Sequence, residues 1–190
     1  MISIVIPTQG DEAETVATLA ALVPGSAAGM VRDVVLADRG GDGDIARVAD
    51  VAGCRFLKFE GTRADAIAAG VKLTRGAWLM FLHAGAVLES SWIDETAQFI
   101  DSVRMSGRHR AGVFRYARSP YAEGGIGSAL RQMTRAMTGP SANQGLLIAR
   151  THYERLGGYA PGARGAEAKL LAKLGRGNRA MLRTRIFVPA

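Results

Sequence analysis

Apolar positions come in short blocks separated by polar helical stretches, and the two periodicities alternate along the chain. Ile2–Ile6 is a β-branched run ended by Pro7, after which residues 11–23 place Val16, Leu19, Ala20 and Val23 on one helical face before Pro24. Val31–Asp38 predicts a second strand, Gly40-Gly41-Asp42-Gly43 a turn, and residues 44–52 a second helix with Ile45, Val48 and Ala49 inward. Residues 54–59 predict a third strand. Thr62, with Asp65 three residues on, opens a capped helix over 63–74, and 77–82 follows as a fourth strand. Trp78 to Leu82 is apolar without alternation, as a central strand covered on both faces should be.

The second half is less regular. Ser91 with Asp94 predicts another capped helix, carrying Trp92, Phe99, Ile100 and Val103 and ending near Gly107. Strands are expected at 111–117, 145–149 and 180–188, and helices at 126–137 and 165–174, with Thr151 and Glu154 forming a third capping box. Strands alternating with helices of this length imply an α/β chain with a Rossmann-like, mainly parallel sheet flanked by helices. At 190 residues and 48% hydrophobic, the chain can enclose one substantial core, expected as a single domain over 1–190.

Charge divides this domain. The net charge of +7 is the sum of −6 over residues 1–103, with eight Lys/Arg against fourteen Asp/Glu, and +13 over 104–190, with sixteen against three. A basic half of this kind suits an anionic ligand, such as a pyrophosphate-bearing molecule or lipid headgroups, or else forms a solvated surface. Nucleic acid is not favoured, because aromatic residues available for base stacking are few there, chiefly Phe114, Tyr116, Tyr121, Tyr153 and Tyr159. The single cysteine, Cys54, lies in an apolar run and is expected as a small buried hydrophobe in a reducing compartment. Met1 leads directly into the first strand with no basic leader, and no apolar run approaches the roughly 20 residues of a membrane span. A cytoplasmic protein, soluble or peripheral to an anionic membrane, is the expectation.

In an open parallel sheet, ligands bind beyond the C-terminal strand ends. Pro7-Thr8-Gln9-Gly10-Asp11-Glu12, Asp38-Arg39-Gly40-Gly41-Asp42, Gly61-Thr62-Arg63 and His83-Ala84-Gly85 stand there. No dinucleotide Gly-x-Gly-x-x-Gly follows the first strand, and no Gly-Lys-Ser/Thr phosphate loop occurs. Asp38 can accept hydrogen bonds from a nucleoside, or it can stabilise its turn; spacing leaves both open.

The order of these blocks resembles the family 2 glycosyltransferases, in particular the short single-domain bacterial members of the arsenosugar-biosynthesis type. Ile4-Val5-Ile6-Pro7-Thr8 with Asp11-Glu12, Val34-Val35-Leu36-Ala37-Asp38 with its glycine turn, Gly61 and Arg63 through Gly70, Leu79–Ala84, and Asn143-Gln144-Gly145 through Leu156-Gly157-Gly158-Tyr159 carry the resemblance. It implies a glycosyltransferase A-type fold, a nucleoside-diphosphate sugar bound by Pro7, Thr8, Glu12, Asp38, Arg63, His83 and Gly85, and an acceptor met by Asn143, Gln144 and Gly145. It also implies Mn²⁺ or Mg²⁺ held by carboxylate, where this chain has Gly85 and only His83 as a nearby candidate ligand. The family's general base falls on Glu167, one methylene longer than the usual aspartate; a surface ion pair is the alternative role. Ala68 and Asn143 depart from the family's polar positions. Arg63, Arg131, Arg135 and the basic tail are candidates to neutralise diphosphate in a cation's place. Three functions therefore compete: a nucleotide-sugar transferase, an inactive relative binding nucleotide, glycan or protein, and a binder of anionic surfaces.

Overall fold

The computed structural model describes residues 1–40, 43–117, 144–162 and 165–188. The helix expected at 126–137, together with Gly41, Asp42, Tyr121, Arg131, Arg135 and Asn143, lies outside them. Eight strands form one sheet in the order β3-β2-β1-β4-β7-β6-β8-β5. They are β1 (Ile2–Thr8), β2 (Val31–Asp38), β3 (Arg55–Lys58), β4 (Trp78–Phe81), β5 (Val87–Leu88), β6 (Ala111–Ala117), β7 (Leu146–Ala149) and β8 (Arg179–Phe187). β3, β2, β1 and β4 run parallel, as does β8 beside β6, whereas β7 is antiparallel to both β4 and β6.

The helices are α1 (Glu12–Ala27), α2 (Asp44–Val51), α3 (Arg63–Lys72), α4 (Trp92–Ser106), α5 (Arg150–Arg155) and α6 (Ala166–Leu174). Successive residues of a strand face opposite sides, so β1 sends Ile2, Ile4 and Ile6 to one core and Val5 to the other. The first core is closed by Leu22 of α1, Ile45 and Ala49 of α2 and Trp92, Phe99 and Ile100 of α4. Ile67 and Val71 of α3, Tyr153 of α5 and Leu170, Leu171 and Leu174 of α6 close the second. All seven residues of β1 are buried, as a strand between two helical layers requires.

Several sequence expectations are corrected. β1 does not stop at Pro7. β4 pairs with β1 only as far as Val5, so the missing N–H of Pro7 interrupts no ladder, and β2 accompanies β1 to Thr8. α1 is rotated from its predicted face and continues through Pro24: Val16, Ala20 and Val23 are exposed, whereas Thr15, Thr18, Leu22 and Gly25 are buried. Two threonines can be interior because their hydroxyls donate to the carbonyls of Asp11 and Glu14. Gly25 is interior because the Trp92 indole lies against it; a Cβ there would come within 2.2 Å of the ring.

Of the three expected capping boxes, only the one at α3 has a capping hydroxyl, with Thr62 Oγ1 accepting from the Asp65 N–H at 3.3 Å. The Ser91 hydroxyl instead meets that of Thr184 across α4 and β8, and α5 starts one residue before Thr151, with Ala149 at its N-cap. Cys54 is half-buried against the first core, and burial pushes its thiol up. No described helix is long and apolar enough to cross a membrane.

Candidate functional site

The last residues of β1 and β2, Thr8 and Asp38, are register partners. The Asp38 carboxylate is 3% exposed, and its Oδ1 accepts from the Thr8 hydroxyl at 2.8 Å and the Gly10 N–H at 3.2 Å. Both bonds fall on one oxygen; among the described residues Oδ2 takes none. The loops after β1 and β2 are thereby joined, and Gly40 approaches so closely that a Cβ would stand 2.8 Å from the Gly10 nitrogen. Arg39 adds a second tie, donating its backbone N–H to the Thr8 carbonyl at 3.1 Å and a guanidinium N–H to Gln9 Oε1 at 3.0 Å.

The loop after β4 is held differently. The His83 carbonyl accepts from the Ala86 N–H at 3.1 Å and the Thr18 hydroxyl at 3.3 Å, and the Gly85 N–H donates to the Glu14 carbonyl at 2.9 Å. Gly85 has φ +81°, a left-handed geometry that a side chain disfavours, so this turn suits glycine. From across the cleft, Arg63 Nη2 reaches His83 Nδ1 at 2.5 Å. A guanidinium can only donate, so Nδ1 is the acceptor and the ring proton of a neutral His83 sits on Nε2.

Arg63 is the first residue of α3, a helix carried close to the sheet by Gly70, where a Cβ would lie 2.8 Å from Val5 Cγ1. Its Nε donates to Glu167 Oε1 at 3.1 Å, an ion pair spanning 104 residues with side chains 33% and 19% exposed. Asp65 helps align the two helices: its carboxylate takes the Thr62 hydroxyl at 2.6 Å and the Gly162 N–H at 2.9 Å, which docks the segment leading to α6 against the start of α3. Those hydrogen bonds hold the Asp65 carboxyl below its ordinary range. Tyr159 is buried within electrostatic reach of this ion pair and packs edge-on against Phe81, with ring centroids 5.2 Å apart. Burial first, and then the Glu167 charge, drive its phenol far above the ordinary range, so Tyr159 stays protonated. Burial lowers the Arg63 guanidinium and Glu167 opposes that effect.

A cleft of about 220 Å³ opens between these ties, lined by Pro7, Thr8 and Gln9, by Asp11 and Glu14, and by Arg39, Arg63, His83 and Ala84. Of the sequence candidates, Pro7, Thr8, Arg63 and His83 line it, Asp38 stands behind Thr8, and Glu167 adjoins through Arg63. Glu12 is exposed on α1 outside the lining; the acids in the cleft are its neighbours Asp11 and Glu14. Gly145 faces the interior, with Leu82, Phe114 and Ile186 within 3.2 Å of its notional Cβ, and Gln144 is half-buried just before β7. Arg39 and Tyr159 were assigned no role from sequence. Arg39 had a usable signal, its place just past a parallel strand end; Tyr159 had only its place in the Gly-Gly-Tyr block. A wider groove of about 730 Å³ between α4 and β8 serves the sheet edge, where the Glu95 carboxylate accepts the N–H groups of Arg183 and Thr184.

The donor set fits a hard divalent cation poorly. Position 85 offers no oxygen side chain, one His83 nitrogen accepts from a guanidinium, and the other carries the proton. Among the described residues no three His, Cys, Asp or Glu side chains group in a way that could hold a metal ion.

No family model matches the chain, and no curated relative does. Solved structures do. S. aureus TarS 1–349 superposes with a TM-score of 0.70 at 13% identity, covering 98% of this chain and 60% of that one. Mannosyl-3-phosphoglycerate synthase from Rubrobacter xylanophilus gives 0.64 at 18% identity, covering 100% and 67%. Glucosyl-3-phosphoglycerate synthase from Mycobacterium tuberculosis, in complex with Mn²⁺, UDP and glucosyl-3-phosphoglycerate, gives 0.65 at 20% identity, covering 100% and 71%. The fold is therefore the glycosyltransferase A-type, and this chain spans about 60% of the TarS 1–349 structure it matches.

Proposed function

We propose that the protein transfers a sugar from a nucleoside diphosphate to an acceptor hydroxyl, with inversion. The observation that carries this reading is the Glu167–Arg63–His83 chain of contacts, which brings a carboxylate from α6 to the C-terminal edge of the parallel strands, beside the cleft. The acceptor oxygen forms a bond to the anomeric carbon as the bond from that carbon to the diphosphate breaks. The acceptor proton passes to Glu167, and the electron pair leaves with the nucleoside diphosphate. Arg63 fixes one carboxylate oxygen of Glu167; Oε2, which takes no hydrogen bond among the described residues, is the one that accepts the proton. Asp38 Oδ2 is an acceptor only, so it suits a ribose hydroxyl or a base that presents a ring N–H. Two of the similar structures support the donor class: a TarS 1–349 structure is a complex with UDP, and the M. tuberculosis synthase holds UDP with Mn²⁺.

Glu167→Gln tests the reading. Turnover should fall by about 10²–10⁴-fold while nucleotide affinity stays near that of the wild type; unchanged turnover removes Glu167 from the reaction. A second reading, a nucleotide-binding relative without transfer, draws on the engagement of Glu167 by Arg63 and on Gly85. Sugar transfer by the purified protein, from any donor to any acceptor, would eliminate it.

A further inference from the structure

We propose that this protein grips the donor diphosphate with two guanidinium groups, Arg39 and Arg63, and needs no divalent cation to do so. The proposal rests on the nucleotide-sugar reading above and concerns how the charge of that ligand is met. Arg39 and Arg63 line the same cleft from different strand ends, one after β2 and one opening α3. Each is anchored through part of its fork. Arg39 is held by Gln9, and Arg63 by Glu167 through Nε and by His83 through Nη2. A guanidinium has about five N–H donors in a rigid plane, so an anchored arginine keeps others for a ligand while its rotamers are already fixed.

Arg63 also explains why a cation is out of place. It occupies the Nδ1 lone pair of His83, and it brings its own positive charge to the end of β4. Gly85 supplies a backbone N–H to Glu14 instead of a carboxylate to the cleft. Asp11 and Glu14 remain as cleft acids, and a cation held by them would share the cleft with two guanidinium groups. Bidentate guanidinium–phosphate pairs are strong enough to supply the missing charge, both in binding and when the diphosphate departs.

Calorimetric titration with UDP, GDP, ADP, CDP and dTDP, in EDTA and in Mn²⁺, tests this. The nucleotide bound best should have the same affinity in both buffers within about twofold. Arg39→Gln and Arg63→Lys should each weaken it by about tenfold or more, while Arg47→Gln, an exposed arginine on α2 paired with Asp44, should leave it unchanged. Arg63→Lys keeps a cation beside Glu167, and a melting curve reports whether each variant is folded; Arg39→Gln stands as the second test if Arg63→Lys is not. Affinity that rises tenfold or more with Mn²⁺ overturns the proposal alone and transfers the charge to a cation on Asp11 and Glu14, which Glu14→Gln would then disrupt. Folded arginine variants with wild-type affinity also overturn it. Failure of all five nucleotides in both buffers removes the nucleotide-sugar reading, and this proposal with it.

Discussion

The loops after β2 and β4 bound the same cleft but are secured in opposite ways. The first is fixed by a buried carboxylate acting on near neighbours in the parallel sheet, Thr8 and Gly10. The second is tied to α1 by the Thr18 hydroxyl and the Glu14 carbonyl, and across the cleft to a partly exposed arginine that reaches a helix 104 residues further along the chain. Burial makes the first tie costly to break, because the buried Thr8 hydroxyl and the partly buried Gly10 amide would lose their acceptor. The arginine tie is more solvated and more adjustable, and it joins His83 at the end of β4 to the proposed base. The more rigid of these two ties therefore stands where the nucleoside would sit under the proposed reading, and the more adjustable one beside the proposed base.

The largest effect expected from this contrast is on stability. Asp38→Ala should destabilise the protein by about 2–3 kcal/mol in chemical denaturation, the cost of orphaning one buried and one partly buried donor. A loss below half a kcal/mol would mean that the buried tie is dispensable and the contrast unfounded. Arg63→Gln should cost less, about 1 kcal/mol, since the pair is partly solvated, yet it should damage nucleotide affinity more than that number suggests. If denaturation shows Arg63→Gln to be the more damaging of the two, the assignment of rigid and adjustable loops is reversed.

The smallest effect lies outside both loops and calibrates them. His152 is buried beside His109, ring centroids 5.4 Å apart, and its Nδ1 has no partner among the described residues. Burial first, then the charges of His109 and Arg155, lower its pKa, so the unfolded chain binds the proton more readily than the folded one. Stability should accordingly decline as pH falls below about 6.5, the ordinary histidine value. His152→Gln should shallow that decline in melting temperature between about pH 7 and 5, whereas Asp38→Ala should shift the curve at every pH in that range.

Sequence periodicity made the parallel half of the fold legible, because its strands are short runs between helices of matching length. β2, α2 and the ends of β4 lie within a residue or two of their expected bounds. The α1 face was misjudged because burial there is decided by threonine hydroxyls returned to the backbone and by a glycine beneath an indole, neither of which counts as hydrophobic. The reversal of β7 was illegible because a four-residue apolar strand carries no mark of its direction. For the site, the strand-end rule brought Thr8, Asp38, Arg63 and His83 into view. The ion pair of Arg63 with Glu167 could not be found that way, since it depends on how α6 docks rather than on any local pattern. Asp65 shows how indirect such information is: the residue whose N–H the Thr62 cap accepts also receives the Gly162 N–H on its carboxylate and so helps to set the approach of α6.

The reversal at β7 has an evolutionary consequence. Because β7 is antiparallel to both β4 and β6, the end of β6 at Ala117 and the start of β7 at Leu146 both fall at the margin of the sheet that bears His83. Connections between strand ends tolerate insertion, deletion and recombination better than the strands they join, so that margin is where selection can vary the chain while the pairing of the parallel half is inherited.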